Sequence, residues 1–390
     1  MSLEEATVLV RGGLERSRFD ETAEAIYPTS GYVYSSAAEA EAAFAGEIDR
    51  FIYSRYGNPT VAMFEERLRL LEGSEACMAT ASGMAAVFAA LASLVSAGDR
   101  VVAARALFGS CHVILTEILP RLGIETVLVD GTDLDQWRRA LAESTRAVFL
   151  ETPSNPTLEI VDLPVVCDLA HAVGATVIVD NVFATPILQK PLQMGADVVV
   201  YSATKHIDGQ GRTLGGAVLA TSEFVAETLM PFLRHTGPSL SPFNAWVLVK
   251  GLETLGLRVM EQSRVASNIA HALSSHAKLV DVRYPTHDAH PQAGLARQMM
   301  RAGGTVVTLT VDGGKDEAFR FLDGLRIFDI SNNLGDTKSL VTHPATTTHR
   351  RIGPEARAEL GIGDGLVRLS IGLEAESDLL DDLHEALSGV

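Results

Sequence analysis

From Gly73 to about Leu255 the chain repeats one pattern: a short, nearly uninterrupted apolar run followed by a longer stretch with apolar residues at helical spacing. The short runs are Arg100-Val-Val-Ala-Ala104, Glu125-Thr-Val-Leu-Val129, Arg146-Ala-Val-Phe-Leu150, Thr176-Val-Ile-Val179, Asp197-Val-Val-Val-Tyr201 and Gly216-Ala-Val-Leu219. Amphipathic stretches over 107–122, 134–143 and 163–173 lie between them. Strands that are apolar on both faces and alternate with helices predict a parallel sheet covered on both sides, which is the α/β class. Residues 1–60 show little sustained periodicity, and Asn58-Pro59 marks a turn before a helix-like run over 61–71. Beyond 255 the spacing predicts one long helix to about Ala277. Strands over 305–311 and 366–371 then belong to a smaller α+β domain. The expected organisation is an N-terminal arm (1–60), a large domain (61–255) and a C-terminal domain (256–390). An arm so poorly packed on its own is expected to lie against a neighbouring subunit.

Composition narrows the partners. The 390 residues carry a net charge of −17, which disfavours a phosphate-neutralising nucleic-acid surface. A few arginines gathered in a cleft still suffice for a small anion. No run of about eighteen apolar residues suggests a membrane span. The acidic start, Met1-Ser-Leu-Glu-Glu, lacks the layout of a secretory signal. Cys77, Cys111 and Cys167 are scattered and never form a C-x-x-C pair, which fits a reducing compartment, the cytoplasm, and argues against a thiolate zinc site.

Candidate chemistry collects at strand ends, where open α/β sheets bind ligands. The run 198–201 leads into Ser202, Thr204 and Lys205, followed by the glycine-rich Asp208-Gly-Gln-Gly-Arg-Thr-Leu-Gly-Gly216. An amine there can serve as a nucleophile once burial or nearby cations depress its pKa, although a lone lysine fits a surface cap as well. Ala81-Ser82-Gly83-Met84-Ala85 opens an Ala-rich helix whose N-terminus suits a phosphate; Ser82 fits an N-cap equally. Asp180 ends a strand, and Asn155 sits in the turn Glu151-Thr-Pro-Ser-Asn-Pro156. Tyr53 with Arg55 offers a phenol and a guanidinium suited to phosphate, and Arg368 offers a planar fork for a carboxylate. Gly209-x-Gly211-x-x-x-Gly215 misses the dinucleotide-binding spacing, and His287-Asp-Ala-His290 reads as a solvated loop rather than a metal pair.

Together these segments resemble a known family. Tyr-Ser-Arg-Tyr-Gly-Asn-Pro-Thr (53–60), Ala-Ser-Gly-Met-Ala (81–85), Glu-Thr-Pro-Ser-Asn-Pro (151–156), Val-Asp-Asn (179–181), Ser-Ala-Thr-Lys (202–205) and Val-Arg-Leu-Ser-Ile-Gly-Leu-Glu (367–374) are similar, in order, to the Cys/Met-metabolism (trans-sulfuration) family of pyridoxal-phosphate (PLP) enzymes. The resemblance implies the aspartate-aminotransferase-like fold, fold type I, and a homotetramer whose paired subunits share active sites. It implies Lys205 as the Schiff-base lysine and Asp180 at the pyridine nitrogen. Ser82, Gly83, Met84, Ser202 and Thr204 would surround the phosphate, with Tyr53 and Arg55 reaching in from the neighbour. Phe108 would stack on the ring where cystathionine enzymes carry a tyrosine. Asn155, Ser339 and Arg368 would orient the substrate, the last two at its α-carboxylate. The segments 208–216 and 333–340 look like the sulfhydrylase branch. That branch implies γ-replacement of O-succinyl-L-homoserine by sulfide, with a cysteine-using cystathionine synthase or a γ-lyase as alternatives. Arg105 is a further, weaker candidate for the succinyl carboxylate.

Overall fold

A computed structural model describes residues 3–390. Seven strands build the larger sheet: β1 (Ala76–Thr80), β2 (Arg100–Ala104), β3 (Glu125–Val129), β4 (Ala147–Glu151), β5 (Thr176–Asp180), β6 (Val198–Tyr201) and β7 (Gly216–Ala220). Their spatial order is β1-β7-β6-β5-β4-β2-β3, and the run from β6 to β3 is parallel. β7 is antiparallel to both β1 and β6.

Period-two alternation accounts for the doubly covered sheet. Val102, Val148, Val177, Val179 and Val199 point into one apolar cluster, while Val101, Ala147, Phe149, Ile178, Val198 and Val200 point into a second on the opposite face. Helices Pro59–Glu72 and Leu163–His171 cover the first face, and helix Gly83–Ala92 covers the second. The central strands are therefore apolar on both faces, with polar residues confined mainly to their ends.

The second sheet holds β8 (Leu279–Arg283), β9 (Val306–Val311), β10 (Asp329–Ile330), β11 (Leu340–Thr342) and β12 (Leu366–Ser370), ordered β10-β11-β12-β9-β8. It packs on its own core with Phe321, Leu379 and Leu383. The long helix Leu255–Leu273 joins the two cores: Leu255 and Val259 belong to the first, whereas Val265, Ile269 and Leu273 belong to that of the smaller sheet.

Two features depart from the sequence reading. The arm contains helices Glu5–Arg11 and Ala37–Phe44, each too short for the helical period to recur over many turns. β1, Ala-Cys-Met-Ala-Thr, is built mainly of residues with weak strand preference and is fixed by its pairing to β7. Arg67 ties the arm to the large domain. It is fully buried and donates to the Gly12 carbonyl at 2.7 Å, the Val249 carbonyl at 3.2 Å and the Glu24 carboxylate at 2.7 Å.

Candidate active site

β1, β2, β4, β5 and β6 all present their carboxyl ends at one edge of the sheet, and the functional side chains sit there. Ser82, Gly83, Met84, Phe108, Asn155, Asp180, Ser202, Thr204, Lys205 and Arg368 line one cavity of about 280 Å³.

β6 ends in a turn that returns the chain toward β7: the Lys205 N–H donates to the Ser202 carbonyl at 3.2 Å, and the Gly209 N–H to the Lys205 carbonyl at 2.8 Å. The Lys205 side chain is left facing the cavity, where Nζ donates to Asn333 Oδ1 at 2.7 Å. Burial, with the Arg368 guanidinium nearby, lowers its amine to about 8, so the neutral form is far more accessible than for a solvated lysine.

Asp180 closes β5. Its Oδ1 accepts the Val182 N–H at 3.1 Å, and among the described residues no cation forms an ion pair with it. Burial raises its carboxyl to about 7. Helix Gly83–Ala92 starts at Ser82, whose Oγ accepts the Ala85 N–H at 3.2 Å, while the first helical N–H groups, at Gly83 and Met84, have no partner within the helix. Gly83 is required by close approach: a Cβ there would meet Ser202 Cβ at 2.4 Å. Helix terminus and Ser202 thus press together into one polar corner.

These residues fit PLP. A buried carboxylate lacking a cation matches a protonated ring nitrogen, and a helix N-terminus beside Ser202 matches a phosphate. A lysine of depressed pKa matches the carbonyl carbon. Thr204 Oγ1 is already engaged with Gly215, donating to its carbonyl and accepting its N–H. Phe108 lines the cavity, and its N–H donates to Glu151 Oε2 at 2.8 Å.

A scan against known families matches residues 6–388 to the Cys/Met metabolism PLP-dependent enzymes. The chain belongs to this family. O-succinylhomoserine sulfhydrylase of Mycobacterium tuberculosis is 61% identical over 388 residues, covering 98% of this chain and 96% of the relative. The enzyme of the same name from Pseudomonas aeruginosa is 47% identical over 384 residues, covering 98% and 95%. Among solved structures, cystathionine gamma synthase of Xanthomonas oryzae pv. oryzae superposes with a TM-score of 0.95 at 35% identity, over 100% of this chain and 98% of that one. PLP dependence and the fold type I architecture follow from membership of the family.

Other residues lie elsewhere. Tyr53 and Arg55 are not at this chain's cavity; the Arg55 guanidinium stacks over the Tyr53 and Tyr56 rings and donates to the Arg234 carbonyl. Arg105 is paired with Asp130 away from the cavity. Ser339 needs correction as a cavity residue. It is fully buried, with its N–H and Oγ donating to the two Glu374 oxygens at 2.7 and 2.8 Å and its Oγ accepting the Gly372 N–H. Asn333 stands in the cavity region instead: its side chain meets Lys205, and its carbonyl, with that of Asn332, accepts Arg368 Nη2 at 3.0 Å. Arg368 Nη1 donates to Asn155 Oδ1 at 3.0 Å, which ties the smaller sheet to the turn after β4.

Sequence reasoning left Glu151 without a role, although a carboxylate ending a fully buried strand was the available signal. Nothing in the sequence singled out Asn333, because its position depends on how the two sheets dock.

Proposed function

We propose that this chain catalyses γ-replacement on an O-acylated homoserine, converting O-succinyl-L-homoserine and sulfide to L-homocysteine and succinate. The observation that carries the reaction class is the Lys205 amine in a cavity floored by Asp180, a carboxylate with no ion-pair partner among the described residues. The two relatives named sulfhydrylases, at 61% and 47% identity, support the choice of substrate and nucleophile.

Bound PLP supplies an electron sink that acidifies the substrate's α-carbon. Asp180 keeps the ring nitrogen protonated. The Gly83 and Met84 N–H groups with Ser82 and Ser202 would hold the phosphate, with Thr204 beside them fixed by Gly215, and Phe108 would stack on the ring. Arg368, already set by Asn155 and two carbonyls, receives the substrate α-carboxylate with Asn333 beside it. Lys205 accepts the α-proton and returns protons along the carbon chain, which its lowered pKa suits.

Assembly belongs to the same reading. Phe19, Val33 and Phe44 of the arm are 74%, 90% and 68% exposed, more apolar surface than a free arm needs. A homotetramer would cover this surface and carry Tyr53 and Arg55 to the neighbour's phosphate. Among the described residues no helix is long and apolar enough to cross a membrane, and we place the enzyme in the cytoplasm.

The test is product analysis of the holoenzyme given O-succinyl- or O-acetylhomoserine with sulfide or cysteine. Homocysteine from the succinyl ester is expected as the main product; cystathionine formed faster than homocysteine would overturn the sulfide assignment.

A further inference from the structure

A second, open hollow of about 360 Å³ lies beside the active cavity; Thr204 and Leu214 line both, and Asn333 lines the second. Arg212, Thr213 and Asn244 form its outer wall. Its inner wall reaches the reacting centre, since Asn333 Oδ1 lies 2.7 Å from Lys205 Nζ. The acyl group of an O-acylhomoserine extends several bonds beyond the α-carbon, and this neighbouring hollow offers space for it.

The chamber is a built feature. Gly209 and Gly211 take φ of +68° and +64°. A Cβ on the first would fall 1.9 Å from Arg258 Nη1, and one on the second 2.8 Å from Asp336 Oδ2. Only a bare backbone passes here, and it delivers Arg212 to the chamber wall. Arg212 is then locked by Asp208, which is fully buried. The Arg212 N–H donates to Asp208 Oδ2 at 2.6 Å, Nε to Oδ1 at 2.9 Å, and Nη2 to the Asp208 carbonyl at 2.9 Å. Nη1 keeps its protons with no acceptor in the protein among the described residues.

The local charge leaves an excess for an anion. Behind Arg212, Arg258 spends its guanidinium on the carbonyls of His206, Ile207 and Gly251 and, among the described residues, has no carboxylate in ion-pair contact. Asp336 is paired with Lys338. Arg212, Arg258 and Lys338 thus stand against two carboxylates, Asp208 and Asp336, and Arg212 lines the chamber.

We propose that this chamber is the acyl subsite: it takes the tail of a dicarboxylic monoester, and Arg212 Nη1 receives the distal carboxylate. This rests on the O-acylhomoserine reading and names the residue that separates a succinyl from an acetyl ester. Arg212 acts on specificity, remote from the proton transfers of Lys205.

The test uses the holoenzyme with sulfide and compares kcat/KM for O-succinyl- and O-acetylhomoserine in wild type, Arg212→Gln, Arg212→Lys and Asn244→Ala. Loss of a charge-assisted contact should lower the succinyl-to-acetyl ratio of Arg212→Gln by ~10- to 100-fold, mainly through KM, with Arg212→Lys in between. An unchanged ratio, including equal loss on both esters, overturns the proposal. Calorimetric titration of wild-type holoenzyme with succinate and with butyrate reads the chamber without any variant: succinate should bind at least ~10-fold tighter. Equal binding overturns the subsite. A wild type that turns over neither ester sinks the functional reading instead, and the titration still decides whether the chamber selects a distal carboxylate.

Discussion

Glu151 and Asp180 stand opposite one another in the register of β4 and β5, so two carboxyl groups meet at the floor of one cavity. Burial raises both, Asp180 to about 7 and Glu151 well above its usual range, with the neighbouring Asp180 charge adding to the rise at Glu151. Two like charges so placed do not ionise together cheaply. A cationic ring nitrogen placed against Asp180, as proposed, would select it as the ionised member and leave the proton on Glu151, which also accepts the Phe108 N–H. The two positions should therefore respond differently. Asp180→Asn is expected to lower kcat/KM on the order of 100-fold, the scale of losing one preorganised charge partner. Glu151→Gln keeps an acceptor for Phe108 and should stay within about 10-fold on the same scale. Steady-state kinetics in which Glu151→Gln is the more damaged variant would reverse these assignments.

Lys205 is the second case. Its amine is positioned by Asn333 and its pKa lowered by burial, and among the described residues no other lysine lines the cavity. Lys205→Ala should lose at least ~1,000-fold in turnover, the upper part of the range for general acid–base catalysis, together with the visible absorption of the holoenzyme. Near-normal activity in that variant would remove the mechanism.

Arg368 makes three directed contacts, to Asn155 Oδ1 and to the Asn332 and Asn333 carbonyls, before any substrate arrives. A lysine ammonium lacks the planar fork to keep these and also meet a carboxylate. Arg368→Lys is expected to raise the amino-acid KM by ~10- to 100-fold while kcat falls less. Should KM hold and kcat alone collapse, the α-carboxylate is bound elsewhere and Arg368 serves the docking of the two sheets.

The parallel sheet was legible because its strands are buried on both faces, which leaves a direct apolar signature in runs such as 147–150 and 198–201. β1 was not, since Ala76–Thr80 owes its strand state to β7, some 140 residues on. The site divides in the same way. Asp180 ends β5, and Asn155 and Lys205 follow shortly after β4 and β6, so strand ends pointed to these cavity residues. Ser339 and Asn333 share one loop of the smaller sheet. Which of them faces the cavity depends on Glu374 capturing the Ser339 hydroxyl and on Arg368 capturing the Asn333 carbonyl. Local pattern carries no trace of those contacts.

Glu72 supplies a prediction about stability. It is fully buried at the end of helix Pro59–Glu72, and its Oε2 accepts the Tyr201 hydroxyl at 2.6 Å, while Tyr201 accepts Asn181 Nδ2 at 2.7 Å. Burial raises the Glu72 carboxyl from 4.5 to about 8, against smaller lowering effects of the Tyr201 bond and of Lys190. Below pH 4.5 the group is protonated in the folded and the unfolded chain alike. Between pH 4.5 and about 8 the folded chain alone retains the proton, so this group's contribution to stability declines as pH rises, and above about 8 the loss is complete. Glu72→Gln keeps an oxygen for Tyr201 and removes the titration, at the cost of burying an amide where Glu72 Oε1 has no partner. The variant should be no more stable than wild type at pH 4.5 and should gain on it steadily up to about pH 8, with the difference level beyond. Thermal unfolding of both proteins across that range measures the difference directly, and other titrating groups largely cancel between the two. Parallel Tm curves would mean that Glu72 titrates alike in both states, and that its carboxylate is held ionised by Lys190 and Tyr201 despite its burial.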